Sequence, residues 1–314
     1  MIFVTLSTFA EFDRHPLQLL EQSGVPFRVH STGRRITTDE LLADGADAEV
    51  LIAGVESYDR GLLERLPKLR CISRCGVGVD AIDLDVARER GIAVVNTPDP
   101  PTDAVAELAL TMMLSLGRNL PRQFEESRAH RWTRLEAHLL GARRVGIIGL
   151  GRIGRRVAEL ADAFGATVVA TDPHADAAWC ARAGVSLVSL DTLLSTADVV
   201  SIHAAKSKDR PLRLGFAELS RMRRGSLLIS LGRGDMVDEA ALHEALTSGQ
   251  LAGAGLDVYS KEPYDGPLCD LSNVVLTPHS ATLTVETRSA METQCVEQAL
   301  AFLSGNTGGL NRVV

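Results

Sequence analysis

Two doubly wound parallel-sheet α/β domains are predicted by this sequence, and three observations carry the prediction. Short apolar runs alternate with helical patterns over the first 96 residues. The run Val145-Gly-Ile-Ile-Gly-Leu-Gly-Arg-Ile-Gly154 then joins an apolar strand to three glycines spaced GxGxxG, with a helical pattern behind them. Beyond that motif the strand and helix rhythm starts again and continues to about residue 278. Alternation of this kind describes parallel strands joined by crossover helices.

In chain order, residues 2–6, 27–30, 50–55, 69–74 and 92–96 read as strands, with helices expected at 16–23 and 38–44. Pro98-Asp-Pro-Pro101 marks a break. After it, Val105, Leu108, Ala109, Met112, Met113 and Leu116 recur at helical spacing, followed by an Arg-rich segment at 118–134. That passage suits a hinge or an interface arm, and equally an ordinary core helix. Later strands are expected at 167–172, 186–190, 199–203, 227–231, 252–258 and 274–278, and a last helix at 285–303 long enough to run back to the first domain. The first 95 or so residues therefore read as one α/β domain.

In the glycine motif, Gly149 permits the tight turn, Gly151 allows the main chain to approach a pyrophosphate, and Gly154 allows the helix to pack on its strand. The opening amides of that helix lack intrahelical acceptors, which makes its N-terminus an anion site. Glycine-rich turns also arise for steric reasons alone, so context decides. Here the next strand ends at Asp172, 18 residues beyond Gly154. A carboxylate there accepts ribose hydroxyls and repels a 2'-phosphate, favouring NAD over NADP; the plainer alternative is a turn residue before Pro173.

Composition narrows the class. The chain has 314 residues, is 45% hydrophobic and 23% charged, and carries a net charge of −7, which opposes nonspecific binding to nucleic acid or anionic membrane. Its five cysteines, Cys71, Cys75, Cys180, Cys269 and Cys295, form no CxxC pair and no zinc pattern, and read as reduced thiols of a cytoplasmic protein without a metal site. The N-terminal Met1-Ile-Phe-Val-Thr-Leu-Ser lacks a basic leader and is followed by Glu11, Asp13 and Arg14, so no signal peptide is expected.

Functional groups of doubly wound sheets gather beyond the carboxyl ends of the strands, where Asp172, His203, Arg233, Asp257 and His279 stand. Singly, Arg233 reads as a surface ion pair, Glu262 as a turn charge and His279 as a loop imidazole. Together they meet the needs of hydride transfer to a 2-oxo acid. Arginine grips a carboxylate through two parallel bonds, histidine exchanges a proton near neutrality, and a neighbouring carboxylate raises its affinity for that proton. The segment Arg74-Cys-Gly-Val-Gly-Val-Asp80 offers successive amides at Gly76, Val77 and Gly78 as an anion nest, or is only a tight turn.

These residues, with Asn96-Thr-Pro98, Val105-Ala-Glu107, Asp172-Pro173, Val237-Asp238, Leu256-Asp-Val258, Glu262-Pro263 and Pro278-His279, make the chain resemble the D-isomer-specific 2-hydroxyacid dehydrogenase family over nearly its full length. The resemblance implies a catalytic set of Arg233, Glu262 and His279. It implies cofactor contacts at Thr102, Gly149, Gly151, Arg152, Ile153, Gly154, Asp172, His203 and Asp257, with Asp257 on the nicotinamide carboxamide. It also implies substrate contacts at Gly76, Val77, Gly78 and Arg233, a homodimer acting on a small 2-oxo or 2-hydroxy acid, and a Rossmann-like NAD-binding domain (97–283) inserted into a flavodoxin-like substrate-binding domain (1–96 plus 284–314), with a cleft between them. Phosphoglycerate dehydrogenases are the relatives it most looks like. Departures fall at Ala204-Ala-Lys-Ser207, at Ser280-Ala-Thr282 after His279, at Ser230, and at Glu56, where a cation for a phosphate is common and where Arg60 or Arg74 would have to substitute. A chain stopping at Val314 is not expected to carry a serine-sensing regulatory domain. The competing expectations are an NADH-sensing dimeric corepressor on the same fold, and a dehydrogenase of another small anion such as a phosphonate, phosphite or formate.

Overall fold

A computed structural model describes residues 1–30, 32–206 and 212–314. It divides into two units, Met1–Pro101 with Thr282–Val314, and Thr102–Ala281.

The first unit is a five-stranded parallel sheet. Its strands are β1 (Ile2–Val4), β2 (Phe27–Val29), β3 (Val50–Ala53), β4 (Cys71–Arg74) and β5 (Ala93–Asn96), in the spatial order β2-β1-β3-β4-β5. Helices α1 (His15–Ser23), α2 (Thr38–Gly45), α3 (Arg60–Glu64) and α4 (Leu84–Glu89) connect them. Short polar residues start these helices: Thr37 closes a capping box with Glu40, and Asp59 and Asp83 accept from the amides of Leu62 and Val86. One face of the sheet buries Phe3, Leu51, Ile72 and Val94 together with residues of α2, α3 and α4. The other buries Ile2, Val4, Ile52 and Val95 against Met291, Cys295, Val296 and Ala299, four residues of the final helix of the chain.

The second unit is a seven-stranded parallel sheet. It comprises β6 (Arg144–Ile148), β7 (Thr167–Thr171), β8 (Ser186–Leu187), β9 (Val199–Ile202), β10 (Ser226–Ser230), β11 (Leu251–Leu256) and β12 (Val274–Leu276). Helices α5 (Pro101–Gly117), α6 (Leu120–Arg128), α7 (Arg152–Ala163), α8 (Ala177–Arg182), α9 (Leu190–Thr196), α10 (Phe216–Arg221) and α11 (Glu239–Thr247) complete it, and the final helix, α12 (Val285–Leu303), packs in the first unit against α1. The strand order is β12-β11-β10-β9-β6-β7-β8, so the order reverses between β6 and β9, the switch point at which such sheets bind ligands. All pairings in both sheets are parallel, as expected for near-continuous apolar strands such as Val145–Ile148.

The apolar stripe of α5 is core. Val105, Ala109, Met112, Met113 and Leu116 are buried within the second unit, each a contribution of roughly 1.5–3 kcal/mol for the larger side chains. The arm reading therefore fails for α5 and is confined to the segment on its C-terminal side: α6 has no buried residue, and Phe124, Trp132 and Leu139 are 64%, 90% and 71% exposed. No helix among the described residues is long and apolar enough to cross a membrane.

Candidate active site

The nucleotide loop lies at the carboxyl end of β6, on the switch point. Gly149 has φ 94°, and a Cβ there would stand 2.6 Å from the backbone of Ala204, so both conformation and space require glycine. A Cβ on Gly154 would lie 2.0 Å from the carbonyl oxygen of Gly149, which fixes how closely α7 approaches the loop. Gly151 caps α7 without a side-chain hydrogen bond, and a Cβ there would touch no protein atom within 4 Å. Its bareness therefore serves the approach to the amides of Arg152, Ile153 and Gly154 at the helix start, and an anionic pyrophosphate suits that cradle.

Asp172, one residue past β7, accepts from Leu150 N at 2.7 Å through Oδ2 and from His174 N at 2.7 Å through Oδ1. It is thus both the turn residue and a carboxylate held beside the glycine loop. Each oxygen keeps a lone pair for a ribose hydroxyl. His203 follows β9, its Nε2 is 2.8 Å from Ser201 Oγ, and burial pushes its pKa down to about 4, so the ring is neutral at pH 7. Of the segment Ala204-Ala-Lys-Ser207, Ser207 lies outside the described residues.

Arg233, Glu262 and His279 come from loops after β10, β11 and β12, three neighbouring strands of one parallel sheet. His279 Nδ1 and Glu262 Oε2 are 2.9 Å apart, with the side chains 51% and 37% exposed, so the pair is formed and reachable from solvent. Glu262 Oε1 accepts from Tyr259 N at 3.2 Å. Arg233 is extended (φ −139°, ψ 141°) and its Nη1 donates to Gly232 O at 2.8 Å. The loops interlock through Gly234: a Cβ there would lie 1.9 Å from the carbonyl carbon and oxygen of Tyr259.

Asp257 is 1% exposed. Its Oδ1 accepts from Thr277 Oγ1 at 2.6 Å and Ser280 N at 2.8 Å, and its Oδ2 from Ala281 N at 3.0 Å. It holds the loop carrying His279, whose φ is 51° and whose N–H donates to Thr277 O at 3.0 Å. The sequence offered no signal for this anchoring, because it depends on which amides a buried carboxylate finds across strands.

In the first unit, Gly76 N donates to Thr97 Oγ1 at 2.8 Å. That amide is committed to the protein, a correction to the three-amide nest, which is reduced to Val77 and Gly78. Arg74 lies over it, with Nε donating to Gly78 O at 3.1 Å and Nη1 3.0 Å from where a Gly76 Cβ would be. Arg60 is instead engaged on the surface with Glu64 and Glu89. Glu56 is buried and accepts from Tyr58 Oη at 3.1 Å and Thr5 Oγ1 at 3.4 Å. Of the two arginines considered as substitutes for a cation at position 56, only Arg74 stands at the nest.

Comparison with known proteins agrees with this architecture. The family model described as "D-isomer specific 2-hydroxyacid dehydrogenase, NAD binding domain" matches residues 110–281. The D-3-phosphoglycerate dehydrogenase of Mycobacterium bovis is 36% identical over 302 residues, covering 92% of this chain and 57% of that protein. A glyoxylate reductase of Korarchaeum cryptofilum is 37% identical over 274 residues, covering 84% and 79%. Among solved structures, a Thermus thermophilus protein superposes with a TM-score of 0.90 at 36% identity, covering 100% and 99% of the two chains. The D-lactate dehydrogenase of Aquifex aeolicus, complexed with NAD and lactic acid, does so with 0.85 at 27% identity, covering 97% and 96%. The chain belongs to the D-isomer-specific 2-hydroxyacid dehydrogenase family, and its second unit carries that family's NAD-binding domain. It spans 51–57% of the length of the mycobacterial relatives it matches.

Proposed function

We propose that the protein is an NAD(H)-dependent oxidoreductase interconverting a small D-2-hydroxy acid and its 2-oxo acid. The observation that carries this reading is the 2.9 Å contact between His279 Nδ1 and Glu262 Oε2, at the same end of the sheet as the nucleotide loop.

The bound nicotinamide would supply or accept the hydride. Glu262 accepts the Nδ1–H of His279, which fixes the tautomer and leaves Nε2 to give a proton to the ketone oxygen or take it from the alcohol. Arg233 clamps the substrate carboxylate with a planar, permanently charged group and polarises the carbonyl. Asp172 selects against a 2'-phosphate, so the cofactor is NAD. Within the first unit, Val77 and Gly78 offer amides to an anion, and Arg74 is the cation beside them. With Glu56 turned inward onto Thr5 and Tyr58, the loop after β3 offers no second cation, which favours a compact substrate over a phosphorylated one. The protein acts as a homodimer in this reading, supported by the exposed Phe124, Trp132 and Leu139.

The test is NADH oxidation with glyoxylate, pyruvate, hydroxypyruvate and 3-phosphohydroxypyruvate. Turnover of an unphosphorylated 2-oxo acid is expected. Tight NADH binding with no turnover of any of them would replace the enzyme by a nucleotide sensor.

A further inference from the structure

Tyr259 touches all three loops that carry the acid/base pair and the arginine. Its N–H donates to Glu262 Oε1 at 3.2 Å. Its phenolic O–H lies 2.9 Å from Thr277 O, the same carbonyl that accepts the N–H of His279, and 3.2 Å from Leu256 O at the end of β11. Its own carbonyl group is the surface against which Gly234 is pressed, next to Arg233. The ring is held in place by stacking on Tyr264, with centroids 4.6 Å apart and planes inclined by 17°. The neighbouring amide of Ser260 is pinned by Glu239 Oε1 at 2.7 Å.

His279 needs such support. Its φ of 51° is uncommon for a residue with a β-carbon, and that conformation persists only where surrounding bonds over-determine it. Asp257 secures the residues on either side of His279, at Thr277, Ser280 and Ala281. The phenol of Tyr259 secures the carbonyl onto which the His279 amide itself folds. Burial and the Asp257 carboxylate push the phenol's pKa upward, so it remains a donor throughout the working pH range.

We propose that Tyr259 is a positioning residue for the reaction: it sets the Glu262 carboxylate with its backbone and the His279 backbone with its hydroxyl, and so fixes the register between the two. The kinetic part of this proposal rests on the dehydrogenase function proposed for the site.

The test is Tyr259→Phe, which removes one oxygen while keeping the ring stack, the N–H to Glu262 and the contact with Gly234. Expected is a fall in kcat for the 2-oxo acid of about tenfold, since small misplacements of reacting groups are costly. The NADH dissociation constant and the thermal midpoint should stay at wild-type values. Tyr259→Leu, which also removes the stack, should lower kcat further and lower the midpoint. A Tyr259→Phe enzyme with kcat and KM within twofold of wild type overturns the proposal. If the wild-type protein turns over no 2-oxo acid, the dehydrogenase reading falls independently. The imidazole nitrogen resonances of His279, assigned by their loss in His279→Gln, then decide: displacement in Tyr259→Phe upholds the positioning role, and superimposable resonances overturn it.

Discussion

His279 Nδ1 lies 2.9 Å from Glu262 Oε2, so two residues from separate loops share one proton position. In the proposed reaction the imidazole would exchange the substrate's proton and the carboxylate would orient the ring. His279→Ala should lower kcat by about 10²–10⁴-fold, the usual worth of a positioned general acid. NADH affinity, measured by fluorescence titration, should be unchanged. Glu262→Gln preserves shape and removes charge, and a smaller loss of kcat is expected; equal losses of kcat and NADH affinity in either variant would contradict these roles.

Asp172 holds the amides of Leu150 and His174, and in the proposed function its remaining lone pairs would receive the ribose. Asp172→Ala should therefore weaken both NADH and NADPH by loosening Leu150, yet weaken NADH more. The ratio of kcat/KM for NADPH over NADH is the discriminating quantity, expected to rise by about tenfold, the equivalent of roughly one charged hydrogen bond. An unchanged ratio would remove the carboxylate from the ribose site.

Two glycines should respond in opposite ways to an added methyl group. At Gly234 it would meet the Tyr259 carbonyl at 1.9 Å, so Gly234→Ala should cost about 1–3 kcal/mol in denaturant unfolding and reduce turnover. At Gly151 it would meet no protein within 4 Å. Gly151→Ala should leave the unfolding curve alone and weaken NADH, as titration calorimetry would read directly.

His203 links stability to pH. Its folded pKa of about 4 lies below the free value of 6.5, so the neutral ring is the form compatible with the fold. The contribution is present in full above pH 6.5 and is lost as pH falls from there through 4, amounting to about 1–3 kcal/mol. Replacing His203 by Gln should flatten that part of the stability profile in urea titrations. A variant with the wild-type slope between those pH values would show that some other group is responsible.

Trp132 is 90% exposed beyond a helix with no buried residue. If this stretch joins two copies, Trp132→Glu should shift the sedimenting species toward monomer without lowering the thermal midpoint of the separate chain.

Much of this was legible in the residues. Runs such as Val145–Ile148 and Val50–Ala53 are apolar almost without interruption because both sheet faces are covered, and that continuity points to parallel strands. Strands read from the sequence overrun the hydrogen-bonded ladder by one to three residues, one at Asp172 and His203 and three at Leu190, because residue type does not mark where the ladder stops. The residue types that meet in the His279–Glu262 contact were legible at successive strand ends. Its supports were not. Nothing local marks Asp257 as the anchor of Ser280 and Ala281, or Tyr259 as a partner of Thr277, because those bonds join segments about 20 residues apart across a strand boundary. The commitment of Gly76 N to Thr97 was hidden for the same reason.

The first unit is assembled from two stretches of chain, with α12 seated against α1 and β4, and Val94 N donating to Val314 O. Opening the backbone once in the exposed stretch between Arg131 and Leu139 would leave all five strands of one sheet on a fragment lacking α12, and all seven of the other on a fragment lacking α5. Each piece would carry a helix whose apolar partners lie on the other. Neither could cover its own sheet alone: each sheet takes a covering helix from the far side of that opening.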